Sequence, residues 1–345
     1  MTGVDTAGER PDRNLALELV RVTEMAAIAA ARWQGRGDKN VVDQAAVDAM
    51  RHMLSTVHMD GIVVIGEGEK DEAPMLYNGE RVGDGKSIKV DVAVDPVDGT
   101  RLTASGQAGA LAVIALAERG SMYAPGALVY MDKIAVGEEA AGVVDIEAPV
   151  AHNLTQVAKA KGKSVQDLTA VILDRPRNEP YMRQVRAAGA RIALIADGDI
   201  SGAISTAKAD SGIDVLLGIG GSPEAVTVAC AMAALKGEIQ CKLWPRDESE
   251  RQFAKDEGLD LNQVLTNRDL VDSDHTFFAA TGVTDGSLLQ GVDFFGKRVV
   301  TYSVVMRSAS RTVRYVQAIH RTDRLHEVDT PGVAPPGQAH SDRSV

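Results

Sequence analysis

The sequence predicts an α/β protein, and three observations carry that prediction. Short β-branched runs in the first half stop at glycine- and aspartate-rich turns, helices and strands alternate regularly between about residues 153 and 235, and the chain opens on an amphipathic helix. Residues 13 to 33 place Leu15, Leu19, Val22, Ala26, Ala29 and Trp33 at three- and four-residue steps, so these side chains share one helical face. A second helix covers 41 to 58. Ile62 to Ile65 is a β-branched run that halts at Gly66 and reads as a buried strand. Ile88 to Asp95 alternates with period two and ends at Pro96, as a strand does where the backbone loses a donor. Apolar runs at 110 to 117, 127 to 136 and 142 to 146 read as further strands joined by glycine-rich turns.

After His152 the pattern changes. Helices at 153 to 161, 179 to 188, 199 to 208 and 222 to 235 alternate with strands at 169 to 174, 190 to 196 and 213 to 219, the order of a layered α/β unit. A soft boundary near 150 therefore separates a strand-heavy half, 13–150, from an alternating half, 151–325. Strands near 275 to 280, 298 to 306 and 311 to 319 close the chain and fit either half. Residues 1–12 are expected to be a flexible lead. The tail 326–345, with Pro331, Pro335 and Pro336 and little apolar content, is expected to lack structure.

Composition narrows the function. A chain of 345 residues, 45% hydrophobic and 25% charged, can bury a large core in one domain or two fused ones. Its 37 Lys and Arg against 48 Asp and Glu give a net charge of −11 with no basic block, which argues against nucleic acid or an anionic membrane as partner. An anionic substrate then requires a metal ion or a few converging cations. Asp5, Glu9 and Asp12 stand where a secretory leader would be apolar, and no run of about 18 apolar residues occurs. Cys230 and Cys241 match no metal or redox spacing, which suits a reducing, cytoplasmic setting.

The acids are placed unusually. Asp43, Glu67, Asp95, Asp98 and Glu224, with Glu69 as a sixth, each fall at a strand end or helix start, and hard cations such as Mg²⁺ and Mn²⁺ take oxygen ligands of this kind. Asp95-Pro96-Val97-Asp98-Gly99-Thr100 has the composition of an ordinary turn, yet its rigid proline step aims both aspartates into one cleft. Gly99 and Thr100 then open toward helix-like residues 101 to 107, whose free amides suit phosphate. Gly66-Glu67-Gly68-Glu69 reads either as a solvated acidic turn or as two carboxylates facing one way on extended backbone. Ser222-Pro223-Glu224 is also the pattern of a capped helix start, and capping is the stronger reading of Glu224 from pattern alone. Asp43, on a helix surface, reads most simply as solvated.

These segments resemble the bacterial class II, GlpX-type fructose-1,6-bisphosphatases of the lithium-sensitive phosphatase superfamily. The likeness covers roughly residues 14 to 325 and rests on WQGRGDKN (33–40), GEGEKDEAPML (66–76), DPVDGTRLT (95–103), DGD (197–199), GIGGSPE (218–224) and SASRTVR (308–314). Asp98 departs from the Glu often found in close relatives. Inositol monophosphatases carry a Trp-Asp pair where this chain has Gly220-Gly221-Ser222-Pro223-Glu224.

The resemblance implies a layered α/β/α/β/α fold with mixed sheets, and two or three Mg²⁺ or Mn²⁺ ions held by Glu67, Asp95, Asp98 and Glu224 with Asp43 beside them. It implies hydrolysis of the 1-phosphate of fructose 1,6-bisphosphate in gluconeogenesis, with Thr100, backed by Asp43 or Glu67, orienting the attacking water. Substrate contacts carried over with it are Lys39, Asp98, Gly99, Thr100, Tyr130, Asp197, Asp199 and Gly221. Arg175 and Arg177, after the strand at 169 to 174, are the local candidates for the second phosphate, since arginine forks match phosphate oxygens; a solvated loop pair is the competing reading. The family also implies a homo-oligomer, dimer or tetramer. The alternatives are a sedoheptulose-1,7-bisphosphatase, an inositol-type monophosphatase that would not need the two arginines, and a non-enzymatic, metal-dependent phosphosugar sensor.

Overall fold

The computed structural model describes residues 14–66, 76–124 and 126–328. Helices α1 (Leu15–Ala31) and α2 (Lys39–Leu54) open the chain, and the Asp38 carboxylate caps α2 by accepting from the Asn40 and Val41 amides at 3.0 and 3.3 Å. Strands β1 (Asp60–Ile65), β2 (Arg81–Val82) and β3 (Lys89–Asp98), helix α3 (Thr100–Ala104) and strand β4 (Leu111–Glu118) follow. The chain then crosses to a second sheet through β5 (Tyr130–Val136), α4 (Val150–Ala160), β6 (Thr169–Leu173), α5 (Glu179–Ala187), β7 (Arg191–Ile195), α6 (Ile200–Ser205), β8 (Val215–Gly221), α7 (Ser222–Leu235), β9 (Glu238–Leu243), α8 (Glu248–Asp256), β10 (Leu265–Thr266) and α9 (Asn267–Leu270). It returns with β11 (Phe277–Gly282), β12 (Asp293–Phe295), β13 (Arg298–Arg307), β14 (Thr312–Arg321) and α10 (Thr322–Val328).

The first sheet runs β12-β13-β11-β4-β3-β1-β2, with β14 on the open side of β13, and the second runs β10-β9-β5-β8-β6-β7. Both are mixed: β1 lies parallel to β3, and β6 lies parallel to β7 and β8, while the other ladders are antiparallel. Three apolar clusters bind the layers. Helices α1 and α2 cover one face of the first sheet, α7 and α6 fill the space between the sheets, and α4 and α5 cover the far face of the second. This is the α/β/α/β/α order. Strand β4 shows why it forms: Ala112, Ile114 and Leu116 enter the outer cluster while Leu111, Val113, Ala115 and Ala117 enter the middle one, so both faces are apolar and both must be covered.

The closing strands β11, β13 and β14 join the first sheet. The strand expected at 142 to 146 is not formed. Gly142 turns there with a positive φ, the Asp145 amide donates to the Asn153 side chain and the Ile146 amide to that of Gln240, so side chains take the place of a ladder partner. No element is expected between 236 and 274, where β9, α8, β10 and α9 lie, although β9 carries the period-two signal of a strand, with Glu238, Gln240 and Lys242 alternating with buried Ile239, Cys241 and Leu243. Helix α10 runs through Val328, into the segment expected to lack structure, and residues 1–13 and 329–345 lie outside the described residues. Among the described residues no helix is long and apolar enough to cross a membrane.

Glu24 of α1 is a buried acid of the outer layer. Thr301 on β13 donates to Glu24 Oε1 at 3.0 Å, His320 Nε2 of β14 stands 3.9 Å from the same oxygen, and Arg21 lies on the same helix. Burial pushes Glu24 up from 4.5 to about 7, against the opposing pull of Thr301 and Arg21. The folded chain thus holds this proton more tightly than the unfolded one. Its favourable contribution is full below about pH 4.5 and lost as pH rises through about 7. Glu24→Gln should therefore gain on the wild type by up to about 3 kcal/mol across that window. Urea unfolding at stepped pH measures this, and a difference that does not grow with pH would refute it.

Candidate active site

Strands β6, β7 and β8 run parallel, so their carboxyl ends open on one edge of the second sheet, the place where α/β sheets hold ligands. Arg175 and Arg177 follow β6, Asp197 and Asp199 follow β7, and Gly221 ends β8 with Glu224 in the first turn of α7. The end of β3 meets them from the first sheet. A Cβ on Gly198 would stand 2.5 Å from Asp98 Oδ1, and Arg101 Nε of α3 lies 3.8 Å from Asp197 Oδ2.

The turn out of β3 is built to expose its acids. Its pairing with β4 shifts register between Asp95 and Asp98, Asp95 Oδ1 accepts the Val97 amide at 3.1 Å, and Gly99 adopts φ 93° against Leu102 and Ala110. Gly99, not Thr100, is the N-cap of α3. The Thr100 hydroxyl donates to Asp43 Oδ1 at 2.7 Å and lies 3.1 Å from the Val97 carbonyl. Asp43 is therefore half-buried and engaged rather than merely solvated. Burial raises its pKa while the Thr100 bond and Lys39 oppose the rise. Lys39 itself is exposed at the start of α2. The capping reading of Ser222 also fails: Gly221 is the N-cap of α7, and the Ser222 hydroxyl donates to the Leu128 carbonyl at 2.5 Å.

Beyond this turn the charge is dense and dry. Asp98 and Asp199 are each 4% exposed, and Asp98 Oδ2, Asp199 Oδ1 and Glu224 Oε2 are buried oxygens with no hydrogen-bond partner among the described residues. Burial, reinforced by Glu224, Asp199 and Asp197, holds the Asp98 carboxyl well above its ordinary range, against Lys133. Glu224 is raised by burial and opposed by Lys133. Lys133 is 2% exposed, and its Nζ stands 2.7 Å from Asp199 Oδ2. Burial would lower its pKa, yet Asp199 and Glu224 raise it above the ordinary value. Orphaned carboxylate oxygens in excess of cations suit a hard metal ion. Among the described residues no three acids, histidines or cysteines converge as a complete cation site. Glu67 and Glu69 lie outside the described residues.

The arginines after β6 are tied down. Arg175 Nη2 pairs with Asp197 Oδ1 at 2.7 Å, while Arg177 donates to the Ile219 carbonyl at 3.1 Å and lies 4.3 Å over the Tyr130 ring. Asn178, fully buried, donates to the Leu173 and Ile219 carbonyls and accepts the Ile219 amide, which fixes this turn between β6 and β8. Trp244 meets Tyr130 edge-on at 6.2 Å and Arg246 lies 5.9 Å from its centroid. Sequence reasoning missed Lys133, Asn178, Arg101, Trp244 and Arg246. The available signal was Lys133 itself, a charge inside a strand whose neighbours Met131, Ile134 and Ala135 are buried.

Comparison with known proteins points one way. A family model described as bacterial fructose-1,6-bisphosphatase, glpX-encoded, matches residues 13–320. A Haemophilus influenzae protein named fructose-1,6-bisphosphatase class 2 is 44% identical over 331 residues, 92% of this chain and 99% of its own length. The Escherichia coli K12 protein named fructose-1,6-bisphosphatase 1 class 2 is 46% identical over 326 residues, 90% of this chain and 96% of its own length.

The buried Lys133–Asp199 pair generates a structural test. Gly220 does not need a left-handed backbone, so Ala there is conformationally allowed, and at an open site it would stabilise by about 0.4–1 kcal/mol. Here its Cβ would fall 1.9 Å from Asp199 Oδ2 and 2.9 Å from Lys133 Nζ. Gly220→Ala should instead destabilise by about 1–3 kcal/mol in chemical unfolding. A neutral or stabilising result would show that the pair does not lie against β8.

Proposed function

The chain belongs to the bacterial, glpX-encoded fructose-1,6-bisphosphatase family, and we propose on that premise that it hydrolyses the 1-phosphate of fructose 1,6-bisphosphate to fructose 6-phosphate and inorganic phosphate, the phosphatase step of gluconeogenesis. The observation that carries the reading is the acidic cluster of buried Asp98 and Asp199 and half-buried Glu224 at the carboxyl ends of β3, β7 and β8, with the Thr100–Asp43 hydrogen bond beside it.

The oxygens of Asp95, Asp98 and Glu224, with Asp43 and Glu67, would hold two or three Mg²⁺ or Mn²⁺ ions. Bound there, such ions neutralise phosphate charge and acidify a water. The protein's own groups do the rest. Asp43 accepts the Thr100 proton, leaving a lone pair of that hydroxyl to take a proton from the attacking water; a threonine is too weak an acid to act unaided. Lys39, near Asp43, adds positive charge on the phosphate side. Asp197 and Asp199 accept sugar hydroxyls, and the Gly99 and Gly221 backbones let the substrate approach closely. Arg175 and Arg177, with Tyr130 beneath the Arg177 fork, take the distal phosphate with the donors that Asp197 and Ile219 leave free.

We assign the enzyme to the cytoplasm, in keeping with two buried free thiols, Cys230 and Cys241. A homo-oligomer, dimer or tetramer, belongs to the same proposal, and the edge strand β14, with Tyr315 and Ile319 exposed, offers a surface for it.

The deciding experiment is phosphate release from a panel of sugar bisphosphates and monophosphates, after chelation and after Mg²⁺ or Mn²⁺ is restored. Release from fructose 1,6-bisphosphate only with the cation is expected. Preference for inositol phosphates, or no release from any ester, would overturn the reading. Within the active enzyme, Thr100→Ala should lower kcat by about 10²- to 10⁴-fold, and Thr100→Ser should stay within about tenfold, because the serine keeps the hydroxyl. An alanine variant with near-normal kcat and a lower thermal midpoint would make Thr100 a structural residue.

A further inference from the structure

Asp199 behaves unlike an ordinary helix-start aspartate. It is the N-cap residue of α6, where a carboxylate normally turns onto the amides of the first turn, yet it makes no side-chain cap. Its Oδ2 is drawn instead to Lys133 Nζ, 2.7 Å away on β5. Lys133 is 2% exposed, so the pair is shut off from water, and the bare backbone of Gly220 seals it from the β8 side. The other oxygen, Oδ1, is buried and has no hydrogen-bond partner among the described residues. One oxygen is thus committed and one is held in reserve.

We propose that Lys133 is the positioning residue for sugar recognition: its buried ammonium turns the Asp199 carboxylate off its own helix and fixes it with Oδ1 free to accept a hydroxyl of the substrate. The inference rests on the bisphosphatase reading and deepens it. Lys133 touches no substrate, because its side chain is enclosed and its charge is spent inside the protein. Its charge also reaches Asp98 and Glu224, and the part of its effect that passes through the Asp199 hydrogen bond falls on ligands that carry sugar hydroxyls. Inorganic phosphate, which has none, is the internal control.

The test is a mutant cycle of Lys133→Met, Asp199→Asn and the double variant in the full-length, metal-loaded enzyme. The readings are KM and kcat for fructose 1,6-bisphosphate, and the inhibition constants of fructose 6-phosphate and inorganic phosphate. Lys133→Met should raise KM and the fructose 6-phosphate constant about tenfold, the scale of a lost hydrogen bond to a charged group, with the phosphate constant within about twofold. The double variant should be no worse than Asp199→Asn alone. Equal losses for all ligands, no loss for any, or an additive double variant would overturn the proposal. Should Lys133→Met alone fail to fold, the double variant removes both charges together, and its comparison with Asp199→Asn decides the matter. A wild-type enzyme inert toward fructose 1,6-bisphosphate would instead refute the functional reading, and it would do so before any variant is compared.

Discussion

Like charge held out of water is the constraint on which this molecule is arranged. Two unit charges ~4 Å apart repel by roughly 4 kcal/mol at an effective dielectric near 20, and each buried carboxylate also forfeits its hydration. Asp98, Asp199 and Glu224 are gathered under those conditions with one enclosed cation, Lys133, among them. The surroundings are shaped by that crowding. Backbone passes so near the carboxylates at Gly198, Gly220 and Gly221 that any Cβ would lie 2.5 Å or less from an oxygen of Asp98, Asp199 or Glu224.

The five-layer fold is what makes the crowding sustainable. Helix α7 packs on both sheets, so Glu224 at its start is anchored by the middle core rather than by a loop. Parallel pairing of β6 with β7 and β8 fixes the relative heights of Arg175, Asp197 and Gly221. The register shift in β3 does the same for Asp95 and Asp98. Groups that repel one another stay in place when rigid elements hold them, and strand ends hold better than mobile loops.

Much of this was legible in the sequence because it follows from local chemistry. The β3 alternation, the two-faced apolar run of β4 and the glycine after Asp98 each reveal themselves within a few residues. The acidic segments and the arginine pair after β6 are where the cation and anion proposals come from. What stayed hidden depends on distant partners. Asp43 looks solvated until Thr100, 57 positions later, is seen to donate to it. Ser222 looks like a cap until Leu128 is found beneath it. Lys133 is one charge in an apolar strand, and nothing nearby in sequence shows that Asp199 will neutralise it. The strand expected at 142 to 146 has the right residues, but its amides find Asn153 and Gln240 first.

The same electrostatics joins activity to stability. Replacing a buried ionic cluster with apolar groups of matching shape is often neutral or stabilising, so the burial of the Asp98, Asp199 and Glu224 carboxylates is weak evidence of a stabilising role. A cation or cationic complex that binds the folded cluster, and not the dispersed carboxylates of the unfolded chain, stabilises the folded state by mass action. A cation held there would offset the penalty for assembling the cluster. Lys133 offsets part of that penalty within the chain itself, since its internal charge opposes Asp98, Asp199 and Glu224 alike.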